Sequence, residues 1–79
     1  MTRYSLFAEL DGTEVFLQTS PDLDTLKRAP KARIIRWLGE MGVELDHKQK
    51  VKLKLFHNGY PHLTADLLPS RICWQPVVG

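Results

Sequence analysis

Lysines alternate with apolar residues in the segment Lys-Val-Lys-Leu-Lys-Leu-Phe, residues 50–56. Strict alternation is typical of a half-buried strand, because successive side chains leave a strand on opposite faces. The apolar residues would face the core, and Lys50, Lys52 and Lys54 would face away from it. The pattern therefore predicts a strand that presents three ammonium groups outside the core.

The same segment continues into Asn58-Gly59, a favoured turn, and predicts a β-hairpin over residues 50–66. Gly59 is expected to adopt the left-handed conformation and to form a bulge. The predicted cross-strand pairs are Phe56 with Tyr60, Leu53 with Leu63, Val51 with Ala65, Lys54 with His62, Lys52 with Thr64 and Lys50 with Asp66. This register adds three residues to the lysine face, namely Phe56, Tyr60 and His62.

A first hairpin is predicted over residues 4–19, where Asp11-Gly12 supplies a two-residue turn. The predicted pairs on its apolar face are Leu10 with Thr13, Ala8 with Val15, Leu6 with Leu17 and Tyr4 with Thr19. The predicted pairs on its other face are Phe7 with Phe16 and Glu9 with Glu14. Like charges directly opposite each other are mildly destabilising. A three-residue loop would avoid this contact but would scramble both faces, so the two-residue register is preferred.

A helix is predicted between the hairpins, over residues 21–41, with Ser20 as its N-cap. Its apolar residues follow one stripe: Leu23, Leu26, Ile34, Trp37 and Met41. Pro30 is expected to kink this helix or to divide it into two short ones. Either Gly39 or Gly42 would end it.

The elements together predict an α+β fold, a single small domain of two layers. Its antiparallel sheet would consist of the two hairpins, in the order β-β-α-β-β along the chain, packed on one helix kinked at Pro30. A fifth strand is predicted over residues 71–75, with Ile72 and Trp74 pointing inward. Pro61 has no N–H to donate to a ladder, so its strand is expected at a sheet edge. The sequence leaves open which face of the sheet the helix covers.

Basic and acidic residues are unevenly distributed along the chain, whose formal net charge is +2. Residues 1–26 contain one base and five acids, whereas residues 27–54 contain nine of the eleven lysines and arginines. This segregation predicts an acidic and a basic region on one small body. The alternative interpretation is that solvated faces of the helix and strands simply carry charge.

Length and cysteine content restrict the class of protein. A chain of 79 residues makes one domain at the small end of those that fold without disulfides or metals. Its single cysteine, Cys73, excludes a disulfide framework and fits a reducing compartment. No apolar run approaches the roughly 18 residues of a membrane span, and the N-terminus lacks the apolar stretch of a secretory signal. We therefore expect a cytoplasmic protein with no membrane partner.

The lysine face is the first candidate binding surface. Ammonium groups neutralise phosphates, and exposed aromatic rings can stack on unpaired bases. The residues expected to contact nucleic acid or another acidic partner are Lys50, Lys52, Lys54, Phe56, Tyr60 and His62, with Arg28, Lys31 and Arg36 supplying peripheral attraction. The alternative interpretation is edge protection, since lysines on an exposed strand prevent aggregation.

The acidic-aromatic face of the first hairpin is the second candidate. If the helix covers the opposite face, Phe7 and Phe16 are exposed together beside Glu9 and Glu14, and exposed apolar patches usually mark a partner site. If the helix covers this face instead, both rings belong to the core.

The case for catalysis is weak. Cys73 with His57 or His62 has the residue types of a nucleophile and its base, but nothing in the sequence brings them together. A lone cysteine beside Ile72 and Trp74 is expected to be a small buried hydrophobic residue. The histidines lack the spacing of metal ligands, and no glycine-rich phosphate loop is present. We expect no enzyme activity, no cofactor and no metal.

The sequence thus favours a non-enzymatic binding module that engages nucleic acid or a nucleoprotein complex through its lysine face. The alternative is a protein–protein adaptor or inhibitor of the phage or plasmid accessory type, acting through the first hairpin. A homodimer paired through a sheet edge is a further arrangement that the sequence leaves open.

Overall fold

In the described part of the chain, five antiparallel strands form one sheet, and two short helices pack on one of its faces. The computed structural model describes residues 3–44, 50–67 and 72–77. The elements are β1 (Tyr4–Leu10), β2 (Thr13–Ser20), α1 (Leu23–Lys27), α2 (Lys31–Glu40), β3 (Lys52–His57), β4 (Tyr60–Asp66) and β5 (Gln75–Pro76). The strand order across the sheet is β2-β1-β3-β4-β5. The small α+β fold predicted from the sequence is confirmed.

The first hairpin turns at Asp11 and Gly12, whose φ angles of 49° and 82° are those of a two-residue turn. Four predicted pairs are present, namely Leu10 with Thr13, Glu9 with Glu14, Ala8 with Val15 and Phe7 with Phe16. The predicted pairs of Leu6 and Tyr4 are wrong by one residue, because Leu17 is inserted as a bulge and the two residues pair with Gln18 and Ser20 instead.

The second hairpin also has a two-residue turn, and its predicted register is wrong. Asn58 and Gly59 have φ angles of 51° and 88°, so His57 lies directly opposite Tyr60. The irregularity falls farther along β4, beside Pro61, which has no N–H to donate to the ladder. The observed pairs are Phe56 with Pro61, Leu55 with Leu63, Lys54 with Thr64, Leu53 with Ala65 and Lys52 with Asp66.

The strand that contains Pro61 is not an edge strand, contrary to the prediction, because β4 lies between β3 and β5. The predicted fifth strand exists but is shorter and later than residues 71–75. It consists of Gln75 and Pro76, preceded by an isolated bridge between Leu67 and Ile72, and residue 71 lies outside the described residues. The two edges of the sheet are therefore β2 and β5.

Pro30 divides the predicted helix in two, and it occupies the N-cap position of α2. The N-cap of α1 is Asp22, whose side chain accepts a hydrogen bond from the Asp24 backbone N–H at 3.1 Å. Ser20, the predicted cap, instead accepts a bond from the Asp22 N–H at 3.1 Å. Past the end of α2, Gly42 has a φ of 80° and the Val43 N–H donates to the Leu38 carbonyl, so Gly42 ends the helix as predicted.

The core lies between the helices and one face of the sheet. Its buried residues are Leu6, Ala8, Leu10, Leu17, Leu26, Ala29, Ile34, Leu38, Val51, Leu53, Leu55 and Ala65. Ile72 and Trp74 pack against this cluster, as predicted, and the Trp74 indole donates to the Lys27 carbonyl at 3.0 Å. Met41 was expected on the buried stripe but is 51% exposed, and Leu38 is buried instead.

Neither described helix has the length and apolar character needed to cross a membrane.

Candidate functional site

The helices cover the Leu6 and Leu53 face of the sheet, and within residues 3–44, 50–67 and 72–77 no element covers the opposite face. We call this uncovered side the open face. Side chains alternate along each strand, which places on it Phe7, Glu9, Glu14, Phe16, Lys52, Lys54, Phe56, Pro61, Thr64 and Asp66. The two candidate surfaces of the sequence are one surface, because β1 and β3 are neighbours and Phe7 lies opposite Lys54.

Three phenylalanine rings form a row across β2, β1 and β3 on the open face. The ring centroids of Phe16 and Phe7 are 5.5 Å apart, and those of Phe7 and Phe56 are 5.2 Å apart with the planes at 70°. These are favourable tilted and edge-to-face contacts. Phe16 is 42% exposed, while Phe7 and Phe56 are half-buried. Phe7 and Phe16 are therefore outside the core, on the face that the helices leave uncovered.

A shallow groove of about 240 Å³ continues this row toward β5. Its apolar walls come from Leu55, Phe56, Pro61, Leu63 and Val77, and Lys52, Lys54 and Thr64 complete the lining. We call the continuous set Phe16, Phe7, Phe56, Pro61 and Val77 the apolar band. Because it reaches from β2 to the residue after β5, the band crosses the whole width of the sheet.

Lys54 lies between two carboxylates on the open face. Its Nζ is 3.0 Å from Glu9 Oε2 and 2.8 Å from Glu14 Oε1. The hydrogen bond to Glu14, followed by that to Glu9, raises the pKa of the Lys54 ammonium above its ordinary value. The contact also explains how Glu9 and Glu14 can face each other across the hairpin, since a shared cation offsets their repulsion.

The register places three carboxylates and two lysines on the open face. Lys52 lies between Glu9 and Asp66 in the register, but it forms no ion pair in the described part of the chain. Lys50, just before β3, is exposed. Glu9, Glu14 and Asp66 therefore exceed Lys52 and Lys54 by one negative charge on the open face.

Two residues assigned to the lysine face lie elsewhere. Tyr60, 76% exposed, is opposite His57 and shares its side of the sheet, which is the helix side. The His62 ring is 5.7 Å from that of His57 and 6.1 Å from that of Tyr4. The predicted register placed Phe56, Tyr60 and His62 beside the lysines. Only Phe56 faces the lysines in the structure, because the observed register differs from the predicted one.

The basic residues of the helices are also separated from the lysine face. Arg28 follows α1, and Lys31 and Arg36 belong to α2, so all three lie in the layer on the other side of the sheet. The structure therefore does not bring the predicted nucleic-acid residues together into one surface. It does bring together the four residues of the alternative site, Phe7, Glu9, Glu14 and Phe16, and joins Lys54 to them.

Cys73 is exposed, contrary to the expectation that it is buried. It lines a second groove, also of about 240 Å³, with Lys52, Thr64, Ala65, Asp66 and Gln75. His57 and His62 lie on the helix side of the sheet, so the structure does not pair the Cys73 thiol with either of these two imidazoles. Within residues 3–44, 50–67 and 72–77, no three His, Cys, Asp or Glu side chains are grouped to hold a metal ion.

Pro61 and Val77 are site residues that the sequence reasoning missed. Finding Pro61 required the true hairpin register, in which it lies opposite Phe56. The sequence contained a signal for this register, because Asn58 and Gly59 form a complete two-residue turn without a bulge. Such a turn places His57 opposite Tyr60 and Phe56 opposite Pro61. Val77 carried no such signal, because β5 is too short to show alternation.

Comparisons with protein-family models, with curated proteins and with solved structures found no match for this chain.

Proposed function

We propose that this protein is a non-enzymatic protein-binding module, an adaptor or inhibitor that attaches to its partner through the open face. The observation that supports this most is the row of three phenylalanine rings on the face opposite the helices. Contiguous exposed apolar surface on a soluble domain usually marks an interaction site. Aromatic side chains are also enriched at the centres of protein interfaces.

The charge of the open face supports a protein partner over a nucleic acid. Binding to phosphates requires a surplus of positive charge, because the affinity comes from counterion release. The register places two lysines and three carboxylates on the open face, and the Lys54 ammonium is already bound by Glu9 and Glu14. A partly apolar surface without a surplus of positive charge suits a protein partner with complementary charges.

The test is capture of proteins from a lysate of the natural host by the wild type and by two matched variants. Phe16→Ser removes the most exposed ring of the row, whose residue is 42% exposed. Ile35→Ser is the matched control, because Ile35 is 40% exposed and lies on α2, in the layer on the opposite side of the sheet. We expect capture to be lost with Phe16→Ser and kept with Ile35→Ser, with both variants folded by circular dichroism. Identical capture by all three proteins would exclude the open face as the binding surface.

Nucleic-acid binding stays a prediction and has one observation in its favour. Lys52 is exposed on the same face as Phe56, Lys50 is exposed just before β3, and neither forms an ion pair within the described residues. Electrophoretic shifts with short RNA and DNA, at about 50 mM salt where phosphate contacts are strongest, test it. Absence of a shift at that salt concentration would rule it out.

Two further expectations also stay predictions. Pairing of two copies through a sheet edge would use β2 or β5, since these are the outer strands. A cytoplasmic location is expected from the sequence, and fractionation of the host cell would test it.

A further inference from the structure

The turn of the second hairpin contains an asparagine followed directly by a glycine, and this pair can react with itself. Asn58 and Gly59 are both exposed, so water reaches them. The Asn58 side-chain amide and the Gly59 backbone nitrogen are held in the same chain a few bonds apart, which favours an intramolecular attack. A Cβ placed on Gly59 would meet no atom within 4 Å, so no surrounding side chain hinders the approach. Asn58 is also the single asparagine of the chain.

We propose that Asn58 is a site of spontaneous deamidation, and that its isoaspartyl product opens the turn of the second hairpin. The Gly59 nitrogen loses its proton to solvent and forms a bond with Asn58 Cγ. The bond between Cγ and Nδ2 breaks, and Nδ2 takes protons from solvent and leaves as ammonia. The product of this step is a cyclic succinimide.

Water opens the succinimide in one of two ways. Addition of water to Cγ breaks the bond from Cγ to the Gly59 nitrogen and leaves an ordinary aspartate. Addition of water to the main-chain carbonyl breaks the ordinary peptide bond instead and leaves isoaspartate, whose main chain continues through Cβ and Cγ. In both cases the Gly59 nitrogen regains a proton, and water is the only co-reactant.

Two hydrogen bonds to Arg3 restrain the Asn58 amide. The Arg3 backbone N–H donates to Asn58 Oδ1 at 2.8 Å, and the Asn58 N–H donates to the Arg3 carbonyl at 2.8 Å. They continue the pairing of β1 with β3 beyond Tyr4 and His57. Rotation of the amide that brings Cγ onto the Gly59 nitrogen breaks the bond from the Arg3 N–H. We therefore expect this bond to slow the reaction in the folded protein.

The aspartyl product fits the turn without a change of backbone conformation. The first hairpin already contains such a turn, because Asp11 and Gly12 have φ angles of 49° and 82°, against 51° and 88° for Asn58 and Gly59. An aspartate at position 58 also keeps a side-chain oxygen that accepts the bond from the Arg3 N–H. Conversion to aspartate therefore preserves both the turn and the contact with Arg3.

The isoaspartyl product does not fit the turn. It adds one carbon atom to the main chain of a two-residue loop, and loop length determines the register of a hairpin. This turn places His57 opposite Tyr60, and the next pair is Phe56 with Pro61. The carbonyl that accepts the bond from Arg3 becomes part of the main chain. Isoaspartate should therefore disrupt the pairing of β3 with β4 next to the turn.

Peptide mapping of the aged protein tests the proposed site. The whole chain is incubated at physiological temperature and neutral pH, and its tryptic peptide 55–71 is fragmented by electron transfer, which distinguishes isoaspartate from aspartate. We expect this peptide to show the exchange of amide for acid and to contain isoaspartate. A synthetic peptide of the same sequence, incubated beside the protein, gives the rate without the fold. An unchanged protein after complete reaction of the synthetic peptide would overturn the proposal.

Two variants of Arg3 test the restraint. Arg3→Pro and Arg3→Ala both remove the guanidinium, but only proline also removes the N–H that donates to Asn58 Oδ1. We expect Arg3→Pro to deamidate roughly fivefold faster than Arg3→Ala, the effect of one neutral hydrogen bond, with both variants folded by circular dichroism. Equal rates, or a slower reaction in Arg3→Pro, would overturn the restraining role of Arg3.

Hydrogen exchange tests the consequence for the hairpin. The isoaspartyl form, separated from the aged protein by ion exchange, has the same composition and charge as Asn58→Asp and differs only in the carbonyl that is joined to Gly59. We expect the amides at the start of β4, next to the turn, to lose protection in the isoaspartyl form and to keep it in Asn58→Asp. Equal protection in the two forms would overturn the claim that isoaspartate opens the turn.

Discussion

Among the single residues of the open face, Lys54 stabilises its centre through ion pairs with two carboxylates. It is 3.0 Å from Glu9 and 2.8 Å from Glu14, which are direct neighbours across the first hairpin. Without this cation, two carboxylates would face each other on adjacent strands, an arrangement that destabilises a sheet. Its side chain is 31% exposed, so solvent weakens the interaction but does not cancel it.

Lys54→Met is therefore expected to lower the free energy of unfolding by about 1 kcal/mol, from the lost ion pairs and the uncompensated carboxylates. Urea denaturation measures this change. Lys52→Met is the matched control, because Lys52 forms no ion pair in the described part of the chain and should change stability by less than about 0.5 kcal/mol. Adding Glu14→Gln to Lys54→Met should recover part of the loss. Equal effects of the two lysine substitutions would contradict a special role for Lys54.

The pH dependence of this contribution has a definite sign. The pKa of Lys54 is raised in the folded state, so folding is favoured while the ammonium is protonated and loses this contribution as the pH rises through the folded value, above 10.5. The stability difference between the wild type and Lys54→Met should therefore be constant around neutrality and decline at strongly alkaline pH. A difference that grew with alkaline pH would show that the assigned cause is wrong.

At the scale of elements, the turns depend on backbone conformations that few residues adopt. Gly59 has a φ of 88° in the second hairpin turn, whereas Gly39 lies within α2. A Cβ added at either glycine would meet no atom within 4 Å. Substitution by alanine at these two positions therefore separates backbone conformation from steric contact.

Gly59→Ala is expected to destabilise the protein by about 1–2 kcal/mol, since a side chain opposes the left-handed conformation. Gly39→Ala should stabilise it by about 0.8–1 kcal/mol through higher helix propensity. Thermal unfolding of the two variants beside the wild type measures both effects. If the unfolding temperatures of both variants shifted in the same direction, either the turn at Asn58-Gly59 or the helical state of Gly39 would be contradicted.

Alternation, the two glycine turns and Pro30 were sufficient to predict both hairpins and the division of the helical region. The bulges at Leu17 and beside Pro61 were not predictable, because a bulge depends on how a whole strand fits its neighbour and core. An error in the position of one bulge moved His62 and Tyr60 to the wrong face. The periodicity of the sequence therefore predicts the strands and helices, whereas the local bulges determine which residues form the site.

The residues of the open face were mostly recognised, but as two separate surfaces. Phe7 and Phe16 belong to one hairpin and Lys54 to the other, and the sequence does not state which strands of the two hairpins pair. The pairing of β1 with β3 joins them. Contacts between distant segments of the chain, such as that of Lys54 with Glu14, cannot be obtained from the local pattern that predicts each strand.

At the scale of the whole molecule, the two faces of the sheet have different roles. One face packs on the helices and contains residues that are fully buried, such as Leu53, whereas the other leaves Phe16 42% exposed. Substitution of these two residues should therefore have very different consequences for stability. Removing a fully buried leucine side chain leaves a cavity, while removing a largely exposed ring does not.

Leu53→Ala is expected to lower the free energy of unfolding by about 3 kcal/mol, and Phe16→Ser by less than about 1 kcal/mol. Chemical denaturation with coincident fluorescence and circular dichroism signals gives both values. If Phe16→Ser instead unfolded the protein, the ring would belong to the core and the open face would not be available to a partner.

Site-specific photo-crosslinking in cells of the natural host tests whether the open face binds a protein. A photoreactive phenylalanine analogue replaces Phe16 on the open face in one protein and Ile35 on α2 in the control, two positions of similar exposure. We expect illumination to join the analogue at position 16, and not at position 35, to one or a few defined host proteins. Nucleic-acid adducts at position 16, or the same protein adducts from both positions, would contradict the claim.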